Sequence, residues 1–513
     1  MTDKLVRGRQ VITDATGLPS KGLVEAGAVA VEGDTIAAVG AYADLKQRYP
    51  QAEEIGSERH VVIPGLINTH HHGWGLTSLQ LGFTDDYLES WITDIWQMKL
   101  VDAYLDTLWA DIRNIRSGVT TLLHAAYGRD WSNYVGETRA KLRAHADSGI
   151  RVGYAVHTLD QNLFVYQAND DFLAALPRDL AERIRAVLGE MNIATSDDFF
   201  DLTASLREEY ADHPRIRIMM CPVAPQWCSD DLLRKIREQA SEHGMAVHLH
   251  CLESPYQRAF GLRSYGKTTV EHLHDLGFLG PGVSLGHAVW LTERDMDICA
   301  ATGTSVCHNA SSNLRLRNGI LPAARMLEKG VNVSIGMDGT TINDDEDMLA
   351  ELRLVAKLHR LPRGLEYTPC PTSFDVLGMA TANGARSLAM ESSLGKLEAG
   401  RKADIVLIDP DGFTKPYLDP RVHVVDALLY RARGMDVDTV LVDGEVVLRD
   451  KVFVKLDENE LLRELTASAE AAPAPLTQRW VDVLRELRPH VVRFYERWET
   501  PAYQPCYTVN SLR

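Results

Sequence analysis

A chain of 513 residues, 45% hydrophobic and 24% charged, is long enough for a large buried core built as two or more domains, or as one barrel with additions. Its formal charge of −17 argues against a nucleic-acid backbone or an anionic membrane as partner, since both demand a positive patch. No apolar run approaches bilayer length, the N-terminal stretch Met-Thr-Asp-Lys-Leu-Val-Arg-Gly-Arg has no apolar signal core, and the seven cysteines form no CxxC pair, so a cytoplasmic protein with reduced thiols is expected.

In chain order, residues 1–62 read as short strands and tight turns, with Gly27 to Val39 a hairpin around Glu32-Gly33-Asp34. Val61 to Thr69, apolar and β-branched, reads as one buried strand that runs into His70-His71-His72. Side chains alternate along a strand, so His70 and His72 share one side and His71 takes the other. Two neutral imidazoles at a strand's C-terminal end suit a borderline-soft cation such as zinc, but a catalytic site needs at least one more protein ligand and an open position. A histidine cluster by itself is only a compositional hint, and the weight comes from matching ligands on later strands.

Asp85 to Lys99 follows as an amphipathic helix after a Thr84 cap, and core packing is the expected role of its stripe of Leu88, Trp91, Ile92, Ile95 and Trp96. The middle of the chain, 63–390, alternates apolar strands with helical segments. Its strand candidates are Val61 to Thr69, Val119 to Ala125, Ile150 to His157, Ile216 to Pro222, Met245 to His250, Val283 to His287, Thr304 to His308 and Val331 to Asp338. Eight parallel strands with intervening helices make a (β/α)8 TIM barrel, whose active site lies at the strands' C-terminal ends. Five candidates run into a histidine and the last into Asp338. The connection 158–214 is far longer than the usual βα loop, reads as helical around Asp179 to Met191, and is a candidate lid.

Beyond the barrel, Ala403 to Ile408 is a strand and Val440 to Leu448 a second hairpin turning at Asp443-Gly444. The flanks 1–62 and 391–450 are therefore expected to pair into one small β-sandwich-like domain around an inserted catalytic barrel, followed by a helical extension, 451–513. In that extension the linker-like stretch 471–475 precedes a helical face of Trp480, Val483, Leu484 and Leu487, broken near Pro489, and then the aromatic residues Phe494, Tyr495 and Trp498. Such a tail is expected to pack on its own domain or on a second subunit.

The fifth strand ends His248-Leu249-His250-Cys251-Leu252-Glu253, the sixth ends Gly286-His287, and the eighth ends Met337-Asp338-Gly339. His70, His72, one of the two fifth-strand histidines and Asp338 together give nitrogen and oxygen ligands with room for water. On the motifs Pro64 to His72, Gly118 to Thr121, His250 to Glu253, Gly286-His287, His308 with Ser312-Asn313, Asp338-Gly339 with Asn343-Asp344, and Leu394 to Asp404, the chain resembles the amidohydrolase superfamily. The branch it resembles is the mononuclear one of triazine chlorohydrolases, guanine and 8-oxoguanine deaminases and S-adenosylhomocysteine deaminases, and the likeness spans roughly residues 20–450.

The resemblance implies His70, His72, His250 and Asp338 as ligands of one divalent metal per chain, zinc first with iron or manganese as alternatives. It implies Glu253 and His287 as catalytic groups beside that metal, and His248 as a structural histidine. The chemistry fits these roles: a divalent metal lowers the pKa of bound water to about 7, so that hydroxide attacks at neutral pH. Asp338 accepts the proton of that water, Glu253 protonates a ring nitrogen and then the leaving group, and His287 orients the attack or stabilises developing charge. Trp74, His308 and Asn313 are the candidate substrate contacts.

Two departures bear on substrate: Gly75 stands where related purine deaminases carry a ring-reading glutamine, and Ala310 stands where the motif around His308 usually has a proline. No lysine lies between Lys141 and Lys235, which disfavours a binuclear site bridged by a carboxylated lysine. The expected function is a metal-dependent hydrolase removing an amino group, or chloride, from a small nitrogen heterocycle. Hydrolysis of a cyclic amide or urea-like C–N bond is the alternative, and a non-catalytic scaffold is disfavoured by the intact ligands and Glu253. The expected assembly is a homo-oligomer, dimer or tetramer.

Overall fold

The computed structural model describes residues 3–17, 21–191, 193–343, 345–360, 370–471 and 473–500; Asp344, named above, and Cys506, one of the seven cysteines, lie outside them. Eight parallel strands follow one another in chain order around a barrel. They are β1 (Leu66–His71), β2 (Val119–Ala126), β3 (Arg151–Thr158), β4 (Ile216–Pro222), β5 (Val247–Cys251), β6 (Val283–His287), β7 (Ser305–His308) and β8 (Asn332–Ile335). Where β8 meets β1, Thr69 Oγ1 donates to the Ile335 carbonyl at 2.9 Å, and the Asp338 amide donates to the His70 carbonyl at 2.9 Å. That closing contact brings the end of the last strand beside the first histidines.

The run Val61 to Thr69 is not one strand. Val61–Pro64 pairs antiparallel with Ile405–Ile408 and parallel with Gln10–Ile12 in a seven-stranded sheet, while β1 begins at Leu66 in the barrel. The break falls at Gly65, whose amide donates to the Asp404 carbonyl and where a Cβ would meet Thr120 Oγ1 at 2.0 Å. Both halves are buried, so the apolar run continues through the change of sheet and periodicity has nothing to mark it.

Strands from both flanks share that sheet, which also contains Leu23–Glu25, Val437–Val442, Glu445–Arg449 and Val452–Phe453. A four-stranded sheet of Thr35–Ala41, Gly27–Glu32, Lys4–Arg7 and Glu53–Gly56 packs against it through Val6, Val29, Val31 and Ile36 facing Val62, Ile405, Leu407 and Leu441. Both expected hairpins form, the second turning through Asp443 and Gly444 at φ 55° and 74°, a primed turn that matches strand twist. Arg151, the first residue of β3, bonds buried Asp404 and Asp443 at 3.0 and 2.9 Å and so ties the barrel to this sheet.

Three elements lie across the catalytic end of the barrel. Helix α1 is Leu88–Ile95, shorter than the expected Asp85 to Lys99; Tyr87, not Thr84, occupies its N-cap position, without a side-chain cap bond. In the connection 158–214, α2 (Arg178–Glu190) packs against the long C-terminal helix α3 (Pro475–Glu496). By contrast Ser196–Glu209 packs on β3 and β4 as an ordinary crossover helix. Helix α3 passes through Pro489 unbroken, where a break is expected from sequence. Pro489 and Arg485, whose carbonyl loses its partner, are both exposed, so water can satisfy that group. Its buried face (Trp480, Val483, Leu484, Leu487, Val491, Tyr495) joins Trp91, Phe164, Leu180 and Ile184 in one apolar cluster. Helix α3 therefore packs on its own chain, over the barrel mouth, while Glu458–Glu470 packs on the helix Ala103–Arg116.

Candidate active site

Alternation along β1 places His70 and His72 on the barrel axis, and β5 supplies His250. The nearest ring nitrogens of these three lie within 4.8 Å of one another, as do the ligand atoms of His70, His287 and Asp338. Asp338 Oδ1 is 3.0 Å from His70 Nε2 and 3.1 Å from His72 Nε2. Yet His70 Nε2 has no aligned hydrogen bond, so the lone pairs converge on a point between the atoms rather than on each other. Bonds of about 2.0–2.1 Å in a tetrahedral site would hold ligand atoms about 3.3 Å apart, close to what is seen.

The outer nitrogens agree with this reading. His72 Nδ1 donates to the Ala125 carbonyl at 2.8 Å and His250 Nδ1 to the Val223 carbonyl at 2.7 Å, which leaves each Nε2 as a lone pair. His70 Nδ1 meets His248 Nε2 at 2.7 Å, and His248 Nδ1 meets Ser284 Oγ at 2.6 Å. His248 thus orients His70 from behind. His71 points away, with Nε2 on Glu346 at 2.7 Å and Nδ1 accepting the Gly73 amide at 2.7 Å. Burial holds His70 down at about 4, despite the opposing Asp338 carboxylate, and pushes His248 and His250 well below their usual range. Burial would raise Asp338, but His70 and His287 outweigh it and keep its carboxyl well below the usual range. Neutral imidazoles and an ionised carboxylate are the forms a metal takes.

Beside the ligands, Glu253 accepts from Asn318 Nδ2 at 2.8 Å, and its Oε2 lies 3.6 Å from His287 Nε2. Burial first, then the nearby Asp338 and Glu89, push its carboxyl well above the usual range. His287 Nδ1 meets Asn313 Oδ1 at 2.9 Å, which turns Nε2 toward Asp338 Oδ2 at 3.7 Å, and Ser312 Oγ donates to that same oxygen at 2.6 Å. Leu252, His287 and Asp338 have φ of 50°, 65° and 65°, a left-handed backbone that costs about 1–3 kcal/mol per residue and collects where geometry is dictated by function.

The amidohydrolase family profile matches residues 61–447, and a bacterial imidazolonepropionase-like composite domain matches residues 27–52. The chain belongs to the amidohydrolase family. It is 33% identical over 479 residues to a 5'-deoxyadenosine deaminase of Methanosarcina mazei, covering 92% of this chain and 98% of the relative. It is 32% identical over 452 residues to a 5-methylthioadenosine/S-adenosylhomocysteine deaminase of Syntrophobacter fumaroxidans, covering 86% and 92%. Its fold is similar to that of an adenosine deaminase from Xanthomonas campestris with bound zinc (TM-score 0.76, 24% identity, 94% of this chain and 99% of that one). It is also similar to an atrazine chlorohydrolase from Arthrobacter aurescens TC1 complexed with zinc and atraton (TM-score 0.78, 22% identity, 91% and 99%).

In this amidohydrolase a cavity of about 630 Å³, counting space open to solvent, lies above the candidate ligands, and His72, His250, Glu253, His287 and Asp338 form its polar end. Trp74 lines it as expected, stacked on His72 with ring centroids 4.9 Å apart and backed by the Arg129 guanidinium 5.2 Å from its ring. The structure does not bring His308 or Asn313 to the cavity. His308 faces His359, with their Nε2 atoms 3.2 Å apart, because β7 ends one position out of phase with the inward residues, and Asn313 is spent on His287. Gly75 faces α-helical backbone instead, where a Cβ would meet the Asp106 carbonyl at 2.5 Å.

Sequence reasoning missed the rest of the wall. The stripe of α1 with Trp96 packs in the buried apolar cluster, as expected, and also lines the cavity, as do Leu159, Leu163, Tyr127 and Trp227. The amphipathic face of α1 was a usable signal, but an apolar stripe does not say whether it meets a core or a cavity. Phe164 and Tyr166 sit behind the wall in the roof cluster, so Leu163 is the informative position in the insertion. Leu163→Ala is expected to leave metal content unchanged and to raise KM about 10-fold or more, the scale of losing apolar contact in a substrate pocket, as read by steady-state kinetics on the best substrate.

Proposed function

We propose that this chain removes an amino group, or chloride, from an electron-poor nitrogen heterocycle by hydrolysis. The observation that carries the reading is Glu253: a carboxyl buried on the cavity wall, 3.6 Å from His287 and beside the cluster of His70, His72, His250 and Asp338, with its pKa raised by that burial. His70, His72, His250 and Asp338 would hold a divalent cation, zinc first with iron or manganese as alternatives, which when bound would supply a water acidic enough, with pKa about 7, to react at neutral pH. Asp338 takes the proton of the attacking water. Glu253 gives its proton to a ring nitrogen and then delivers one to the departing amine, while His287 Nε2 faces the charge that develops. For an amino substrate the balance is water in, ammonia out and an oxo ring left behind.

Away from the end formed by His72, His250, Glu253, His287 and Asp338, the residues lining the cavity carry neither a carboxylate nor a cation. A charged tail placed there would lose its water with no counter-charge to replace it, at about 1–3 kcal/mol or more per unsatisfied group, whereas the buried indole N–H groups of Trp74 and Trp91, without a partner among the described residues, can donate to a neutral polar substituent. A flat pyrimidine, triazine or related ring without a charged substituent is thus favoured, and Gly75 in place of a ring-reading glutamine argues against guanine, while the relatives bear the names of nucleoside deaminases. A panel of aminoheterocycles, chlorotriazines, 5'-deoxyadenosine, guanine and cyclic amides, scored for ammonia, chloride or ring-opened acid, is the test. Ammonia or chloride from the small apolar rings is expected. Ring-opened acid as the only product would replace this reading with a cyclic amidase.

Among the described residues no helix is long and apolar enough to cross a membrane. The cytoplasmic setting and the dimer or tetramer belong to this same proposal, and sedimentation of the purified chain decides the assembly.

A further inference from the structure

Behind the catalytic carboxyl lies a second buried one that the proposed chemistry does not use. Glu89 is 3% exposed and sits on α1, whose neighbouring face (Leu88, Trp91, Ile92, Ile95) lines the cavity. Its Oε1 accepts from Tyr166 Oη at 3.0 Å and, through a short bond, from Ser254 Oγ, while Oε2 has no partner among the described residues. Ser254 directly follows Glu253. Its hydroxyl also caps the helix Pro255–Tyr265 by accepting the Gln257 amide at 3.2 Å, and the Glu253 amide donates to Gln257 Oε1 at 2.8 Å. On the other side, the Tyr166 amide donates to Tyr495 Oη at 3.0 Å, and the Tyr495 ring packs on Tyr166 and Tyr256 at 5.3 and 5.0 Å.

One carboxyl therefore joins four pieces of chain: the cavity-wall helix, the insertion, the turn that carries Glu253, and the C-terminal helix. Burial pushes Glu89 up to about 7, against the bonds from Ser254 and Tyr166. A buried carboxyl without a cation is costly, and an apolar residue of similar volume commonly stabilises such a place, so its retention calls for a role.

We propose that Glu89 is a positioning residue, which fixes the Glu253 carboxyl over the cavity by holding Ser254 and couples that alignment to the packing of the insertion and the C-terminal helix. The inference rests on the role given to Glu253 above. Glu89→Leu removes the acceptor while keeping the volume, Glu89→Gln keeps an acceptor, and Glu89→Ala stands in if the leucine variant does not fold. With the full metal-loaded chain, Glu89→Leu is expected to lower kcat at least 10-fold, to leave KM within threefold and metal content unchanged, and to speed hydrogen exchange at the Glu253 and Gln257 amides at least 10-fold. Glu89→Gln should return both readouts to within about threefold of the parent.

Exchange at those amides unchanged in the leucine or alanine variant overturns the proposal, whatever happens to turnover. So does faster exchange with kcat within twofold of the parent. The exchange arm needs no substrate, so a parent chain inert on the whole heterocycle panel would sink the deaminase reading, and unchanged exchange would sink the role of Glu89 separately.

Discussion

Glu253→Gln is expected to keep the fold and the metal and to lose roughly 100- to 10,000-fold in kcat, the usual contribution of a positioned acid–base group. Glutamine still accepts from Asn318 and preserves the shape of the wall, but it has no proton to give. The same carboxyl sets the pH dependence. Its folded-state pKa is raised, by burial first and then by Asp338 and Glu89, so the protonated, competent form extends to higher pH than for a free carboxyl. Activity that needs this proton is present below that pKa and lost as pH rises through it. The parent should show an alkaline limb in kcat that the glutamine variant lacks. A variant within a few-fold of the parent, with the same limb, would reduce Glu253 to a polar loop residue.

The second large effect concerns the metal. The parent should carry about one equivalent of divalent cation, as a single-site catalytic centre does, and His70→Ala and Asp338→Ala should each lose it. Both residues belong to the ligand cluster, where Asp338 Oδ1 lies 3.0 Å from His70 Nε2 and 3.1 Å from His72 Nε2. Elemental analysis of dialysed protein reads the occupancy and circular dichroism reads the fold. His248→Ala is a different case: it removes the partner of His70 Nδ1 and should weaken binding about 10- to 100-fold without abolishing it, as expected for a residue that orients a ligand. Full occupancy in both ligand variants would dissolve the assigned centre.

The sequence by itself determined most of the barrel and of its polar end. Strand ends are written locally, because alternation dictates which of His70, His71 and His72 turn inward, and because apolar β-branched runs of strand length recur through the chain in barrel order. The family motifs favour His250 over His248 as a candidate ligand, a choice supported by geometry: His248 lies behind His70 and bonds it, while His250 Nδ1 bonds a carbonyl and leaves its Nε2 free.

What only the tertiary structure decided depends on residues far apart in the chain. The change of sheet at Gly65 follows from Thr120 and Asp404, which no local period can report. His308 and Asn313 share the motif of the site but face His359 and His287, since which way a side chain points beyond a strand end is set by the neighbouring element. From sequence the apolar stripe of α1 reads as core, and the aromatic tail at the end of α3 as packing on its own domain or a second subunit. That they roof a cavity follows from where the helices are laid across the barrel, through contacts such as Arg488 to Asp94 at 2.8 Å and Tyr166 to Tyr495, which join segments more than three hundred residues apart. An amphipathic pattern encodes that a face avoids water, and only the assembled fold decides whether protein or substrate covers it.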